Sequence, residues 1–563
     1  MNMRYLVRWQ TFFAVIGILV VGGLLVQLSF TRQSVIVPVR GGVYTEGMVG
    51  TPQYLNPLLA TTDVDRVISS LLFDGLSTLQ SDGSVVPALA EEWEVADSGT
   101  VYTCTLRSGA RWHDGTPVTS ADVLFTLNLI RSPEIPDPNL LKELWSQIQV
   151  EALGEQRVRF TLERPYAPFL SYTTLQILPA HLLEGISPAE LELSPFNLNP
   201  VGTGPFRFVE ISESEDGTLT MELEANPFYY HQPFYLEGIR LFFYRDRSTL
   251  EEALLRGDVD GAFGLSAEAL EHVAEDPELI SYRTYLQACT ILFLNTRSTL
   301  LSDLRLRQAI AMSLDHEALF NGYEERIFAA NGPISPISWA YKPDLVSLPY
   351  DPAAAAALLE EAGWEDRNGD GIRDRDVRSL ELTLLSQDIP AERVTLARRI
   401  EQQLAPLGIA VRVVVLTDPQ EFRARFTERD FDLLLYGWGQ LGRDPDEFAL
   451  WHSSQAGAEG LNLSSLQDPE IDALLESGRT VRARDVRTQL YWQFQERFVE
   501  QVPAIPLYYP VYTYVLNARI RGVQVGPLNN LGDRFQGVTG WYIKTQKVIL
   551  DRSRPASRSG DSR

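Results

Sequence analysis

Leu396-Ala-Arg-Arg-Ile400-Glu-Gln-Gln-Leu404-Ala-Pro406-Leu-Gly408-Ile-Ala-Val411-Arg-Val-Val-Val415 is the stretch that decides the fold. Leu396, Ile400 and Leu404 share one face at helical spacing, so its first half predicts an amphipathic helix. Pro406 and Gly408 end that helix, and the β-branched run Val411 to Val415 predicts a strand. A helix returning into a strand is an α/β unit. Downstream, Phe431-Asp-Leu-Leu-Leu-Tyr436 predicts a buried strand that runs into Gly437-Trp438-Gly439. Loops at strand ends line crevices in α/β sheets, which makes Trp438 a candidate binding wall. A Trp packed between lobes is the alternative.

Other helices announce their ends. Thr119 and Asp122 have capping-box spacing, and Val123, Leu127 and Ile130 follow on one face. Asp351-Pro352 opens an alanine-rich helix with proline at its first position, and Gly363 closes it.

A chain of 563 residues exceeds one hydrophobic core and predicts two or three lobes. Its 45% hydrophobic and 22% charged residues are a globular composition. The net charge of −25 argues against a nucleic-acid partner, because phosphate binding needs clustered Lys and Arg. Such a field also attracts cationic solutes. Cys104 and Cys289 are the only cysteines and lack CxxC spacing, which excludes a disulfide framework or structural zinc. Whether they form one bridge or stay buried thiols is open.

Arg4 and Arg8 precede an uncharged stretch, Thr11 to Phe30, about as long as a helix needs to span a bilayer. Residues 1–31 therefore read as an N-terminal membrane anchor, with a cleaved signal peptide as the rival. No small-x-small site follows, and no Cys that could carry a lipid. Basic residues before the span place the main domain outside the cytoplasm. The tail, 549–563, is Arg- and Ser-rich and is expected to be disordered.

Leu72-Phe-Asp-Gly-Leu76, Val86-Pro-Ala-Leu-Ala-Glu-Glu-Trp93, Leu106-Arg-Ser-Gly-Ala-Arg-Trp-His-Asp-Gly115 and Ala121-Asp-Val123 resemble the signature block of family 5 extracytoplasmic solute-binding proteins, the peptide- and nickel-binding type. Val201-Gly-Thr-Gly-Pro-Phe206, Ala225-Asn-Pro-Phe-Tyr229, Leu254-Leu-Arg-Gly-Asp-Val-Asp260, Arg305-Leu-Arg-Gln-Ala-Ile310 and Gly437-Trp-Gly439 continue it in order, over roughly 41 to 545. The resemblance implies an α/β, two-lobed periplasmic-binding-protein-like fold of class II, the large type with an extra subdomain. Lobe I would span 41–288 with a subdomain at about 86–196, lobe II 289–505, and 506–548 would return to lobe I. The chain would cross near Phe293-Leu-Asn295 and return near Pro506-Leu-Tyr-Tyr509. It implies no enzyme. It implies a monomeric receptor that closes around an organic solute, an oligopeptide first, and hands it to an ABC permease. A membrane-anchored sensor and a binder of glycans, opines, nickel chelates or other cations stay open.

A peptide cleft needs aromatic walls and a few polar anchors. Trp438 and Tyr436 are candidate walls, Asp444 and Asp446 candidate anchors for a cation or else ordinary turn carboxylates, and Arg443 a partner for an anionic group. Peptide-binding relatives carry an Asp after the Trp that holds the α-ammonium; Leu441 stands at that place. By analogy Asn462, Tyr44, Glu46 and Tyr508 join the cleft. Asp366, Asn368, Asp370, Ile372 and Asp374 follow the spacing of a calcium loop with Gly371 at its turn, but Val377 replaces the closing acid, so a weak structural calcium site competes with a plain acidic turn. No cofactor is required. HExxH, GxSxG and phosphate-loop motifs are absent. His113 reads as structural, and His452 beside Trp451 as a weak cleft candidate.

Overall fold

The computed structural model describes the chain except residues 1–8, 10–11, 23–31, 81–82, 136–140, 216, 232–233, 324, 440–443 and 552–563. Residues 12–22 are helical and mostly exposed. The rest of the Thr11 to Phe30 stretch lies outside the described residues, as do Arg4, Arg8, Leu441 and Arg443. Among the described residues no helix is long and apolar enough to cross a membrane.

One sheet path runs through the whole molecule, and it divides in two. In one half Val43–Val49 pairs in parallel with Gly238–Tyr244 and Gly261–Phe263, and Leu219–Ala225 and Phe206–Glu213 extend that side antiparallel. In the other half Glu381–Gln387 pairs in parallel with Ala410–Leu416 and Leu433–Gly439, and Ala288–Leu294 lies antiparallel beside the last. The halves are joined by Ala504–Asn517. Its first part pairs with Ala288–Leu294, Phe293 opposite Ala504, and its second with Leu279–Tyr285, Tyr285 opposite Val511. Both strands pass between the halves at Leu286–Gln287 and Tyr509–Pro510. There Leu286 N–H donates to Pro510 O at 3.1 Å, and Pro510, with no N–H of its own, interrupts the ladder.

Each half buries its own core. Along Leu433–Leu435 the side chains alternate: Leu433 and Leu435 pack with Ile400 and Leu404 on one face, and Leu434 with Phe293, Trp451 and Phe494 on the other. Ala391–Leu404 is the expected helix and buries Leu396, Ile400 and Leu404. Gly408 turns the chain at φ 76° into the strand. The other half buries Ile68, Leu71, Leu72, Phe206 and Leu241. A four-stranded antiparallel sheet, ordered Ala90–Ala96, Val101–Leu106, Arg157–Thr161 and Gln149–Ala152, forms a third core around Trp112, Trp145, Phe160 and Phe169. Asp122 Oδ2 accepts the Thr119 N–H at 2.8 Å, and Asp351 Oδ1 accepts those of Ala353 and Ala354, so both predicted starts are capped.

The tail boundary needs correction. Thr545–Asp551 pairs antiparallel with Arg32–Pro38, Val548 opposite Val35, so 549–551 belong to a strand. The apolar run Val548-Ile549-Leu550 favours pairing where the Arg- and Ser-rich composition predicted disorder.

Candidate functional site

A cleft of about 2620 Å³ opens between the halves. Its walls come from distant parts of the chain because the two crossing strands are the sheet's link between them. Phe73 to Gly75, Tyr172 to Gln176 and Asn529 to Val538 include lining residues on one side; Trp438, Phe448, Leu450 and Arg479 face them, and Leu286 and Ala288 lie on the crossing segment. Trp438 meets Tyr436 edge to face at 5.6 Å, and its Nε1 is buried with no acceptor among the described residues. Tyr436 does not line this cleft: it stacks on Phe422 at 5.8 Å, with the Arg393 guanidinium 5.6 Å from its ring.

The two carboxylates expected to await a cation already have partners. Asp444 is ion-paired with Arg487, whose Nη1 donates at 2.8 Å. Asp446 accepts from Arg479 Nε at 2.8 and 3.0 Å, and its side chain is 6% exposed. Asp446 Oδ2 also accepts the Tyr166 hydroxyl at 2.9 Å, a bond that ties the third core to the Trp438 half. Ala167 N–H donates to Arg479 O at 2.7 Å beside it, and the Arg479 guanidinium lies 5.4 Å from the Tyr166 ring. Next in sequence, burial pushes the Glu447 carboxyl up to about 8, and Trp451 Nε1 donates to it at 3.1 Å.

Four cleft assignments made by analogy are corrected. Tyr44 and Glu46 are fully buried within the first half. Arg534 Nε donates to Glu46 Oε1 at 2.9 Å, while Tyr44 and Tyr514 hydroxyls both donate to Glu46 Oε2 at 2.6 Å. The carboxylate is consumed by neutralising a buried guanidinium. Asn462 is fully buried and donates to the carbonyls of Trp451, His452 and Leu466, stitching a loop. Tyr508, 9% exposed, packs edge-on against Phe320 in the core.

The 366–374 loop turns its acids inward. Asp366 accepts the N–H groups of Gly369 and Gly371, Asn368 that of Asp370, Asp370 that of Ile372, and Asp374 the Ser379 hydroxyl. Among the described residues no three His, Cys, Asp or Glu side chains converge to hold a metal. Cys104 and Cys289 are free thiols, each pushed up to about 12 by burial. His113 is structural: Nδ1 accepts the Gly202 N–H at 3.0 Å and Nε2 contacts Gly204 O at 3.2 Å. His452 is 8% exposed and stacks at 3.9 Å on Phe448 behind the cleft wall, without lining the cleft itself.

Sequence reasoning missed Asp74, Tyr166 and Arg479. Asp74 sits inside the quoted block Leu72 to Leu76, a signal read for family resemblance alone. Arg479 lies in the last turn of the helix Pro469–Thr480, whose Asp468-Pro469 start was in the sequence but gives no hint of what its far end meets.

Two α/β lobes joined by a pair of crossing strands, with the cleft between them, define a clamp-type binding receptor. Residues 84–460 match the model of the bacterial extracellular solute-binding proteins, family 5, and the chain belongs to that family. It is a non-enzymatic, extracytoplasmic receptor. The oligopeptide-binding protein AppA of Bacillus subtilis is 28% identical over 535 residues, covering 92% of this chain and 94% of the relative. The structure of that AppA with a nonapeptide aligns at a TM-score of 0.70 and 27% identity, covering 90% of this chain and 100% of its own. NikZ from Campylobacter jejuni in complex with Ni(L-His) aligns at a TM-score of 0.70 and 28% identity, covering 89% of this chain and 99% of its own.

Proposed function

We propose that this chain captures oligopeptides by closing its two lobes and delivers them to an ABC importer. The observation that carries the reading is the cleft. It is walled by both lobes and larger than the roughly 300–1,000 Å³ that suits a drug-sized ligand, which fits an extended peptide. Similarity to a nonapeptide-binding relative over most of both chains supports the same solute class. Solute touching both walls stabilises the closed form, which is the form a permease can recognise. Both walls come from one chain, so one copy suffices.

The lobe limits 41–288, 289–505 and 506–548, with a subdomain at about 86–196, are part of this proposal. They are supported by the separate cores and by the crossing points at Leu286 and Pro510. So is tethering by the uncharged Thr11 to Phe30 stretch, which rests on its length and the basic residues before it. In the cleft Trp438 is the aromatic wall, since its Nε1, without an acceptor among the described residues, can donate to a peptide carbonyl. Asp444 and Asp446 serve their arginine partners rather than meeting the solute directly. A weak calcium site at 366–374 rests on spacing alone. A rise in melting temperature with calcium but not magnesium supports it, and no calcium-specific rise refutes it.

A chelate is the second reading, favoured by the NikZ alignment. Native mass spectrometry of the purified full-length chain separates the two. Co-purified peptides support capture of oligopeptides, and a retained metal complex without peptide overturns it.

A further inference from the structure

Among the acids of the cleft wall, Asp74 stands out by its surroundings. Asp446 pairs with Arg479, Asp63 with Arg66, and Asp533 accepts the N–H groups of Asn529 and Asn530. Asp74 has no Arg or Lys within ion-pairing distance among the described residues. Its one side-chain partner is the Tyr230 hydroxyl, which donates to Oδ2 at 2.8 Å. The backbone is fixed on both sides: Asp74 N–H donates to Thr203 Oγ1 at 3.1 Å, and its carbonyl accepts from Ile177 N at 3.0 Å.

Its hydroxyl partner Tyr230 belongs to a cluster of three rings. Tyr229 and Tyr230 centroids are 4.8 Å apart and Tyr230 and His231 4.6 Å, and Tyr229 and His231 line the cleft with Asp74. Ring faces carry negative charge density and attract cations, more strongly where water is thinned. The nearest cation on these rings, Arg107, stands 5.2 Å from the Tyr230 centroid and donates its Nε to Ala88 O. A part-buried carboxylate without a counter-ion, hydrogen-bonded to a ring of an aromatic cluster, is an environment that a ligand's ammonium or guanidinium completes; Glu143, Glu163 and Glu459, wall acids also without an ion pair among the described residues, are instead exposed to water.

We propose that Asp74, Tyr229, Tyr230 and His231 form a subsite for a basic group of the bound peptide, so that the receptor selects cationic peptides. This rests on the peptide-capture reading and narrows it. The chain's net charge of −25 works in the same direction by drawing cationic solutes to the domain.

The subsite also titrates. Burial pushes the Asp74 carboxyl up to about 7, so the empty site is mostly neutral at pH 6 and mostly charged at pH 8. The two tyrosine hydroxyls facing it stay protonated across that window. Burial keeps the Tyr229 and Tyr230 hydroxyls well above their ordinary value, and burial and the nearby Arg107 guanidinium push His231 below its own. A bound cation favours the ionised carboxylate and releases its proton. Affinity for basic peptides therefore rises from pH 6 to 8 and levels above.

Calorimetric titration of the full-length chain tests this with alanine nonapeptides carrying one Lys at each position in turn, one Glu, or neither. At pH 8 the best Lys peptide binds about 10- to 100-fold tighter than the neutral one, as a hydrogen bond to a charged group predicts. That ratio shrinks at pH 6 and in Asp74→Asn. If Asp74→Asn does not fold, the pH comparison on the unaltered chain decides. A ratio under about twofold at pH 8, a preference for Glu, or a ratio that Asp74→Asn leaves intact overturns the subsite while leaving peptide capture standing. Failure of every peptide to bind overturns both.

Discussion

Tyr166→Phe removes one oxygen atom and, with it, one of the hydrogen bonds between the third core and lobe II. The hydroxyl donates to Asp446 Oδ2 at 2.9 Å, and Asp446 keeps its two contacts with Arg479 when the donor is lost. The carboxylate is thus not orphaned, which puts the cost at the low end for a bond to a charged group, about 1–2 kcal/mol. In the proposed clamp motion lobe opening breaks this contact, so the loss falls on the closed form and the closing equilibrium shifts by the same amount. Apparent Kd for a bound peptide should weaken by about 5- to 30-fold, mostly through faster release. The melting temperature of the solute-free chain should move little. Titration calorimetry gives Kd, and stopped-flow tryptophan fluorescence gives the release rate. Unchanged Kd and release rate, with the variant folded, would show that the Tyr166 to Asp446 bond does not report closure.

Two further substitutions separate cleft from core. Trp438→Ala should weaken peptide binding by at least about tenfold, given the typical cost of removing a buried aromatic contact, with a modest loss of melting temperature. Collapse of the fold would place Trp438 in the core instead. Arg534→Met strands Glu46 in a fully buried site and should destabilise the chain by roughly 3–5 kcal/mol by denaturant unfolding, with Kd unchanged in the folded fraction. A change of binding with unaltered stability would return Glu46 and Tyr44 to the cleft.

Local signals were legible and long-range pairings were not. The spacing of Leu396, Ile400 and Leu404, the Thr119 and Asp122 cap and the Gly408 turn all act within a few residues, and all appear in the structure. Tyr44 and Glu46 failed as cleft residues because alternation along Val43–Val49 marks two faces without saying which meets solvent. The answer depends on Arg534, 488 residues after Glu46. Asp444 and Asp446 looked like free turn acids for the same reason, since their partners Arg487 and Arg479 lie 43 and 33 residues on, on helices whose packing the local sequence does not specify. Asp74 was in view from the start. Its want of a counter-ion is a property of the folded wall, which sequence spacing does not carry.

Lobe closure on a peptide is tested most directly by electron–electron resonance distances in the full-length chain. Spin labels at Leu193→Cys and Val346→Cys, both strongly exposed and on opposite lobes, report the separation, with Cys104 and Cys289 replaced by alanine. A broad distribution without solute that narrows and shifts to one distance with saturating nonapeptide is the expected result. The same distribution with and without bound peptide would contradict capture by closure.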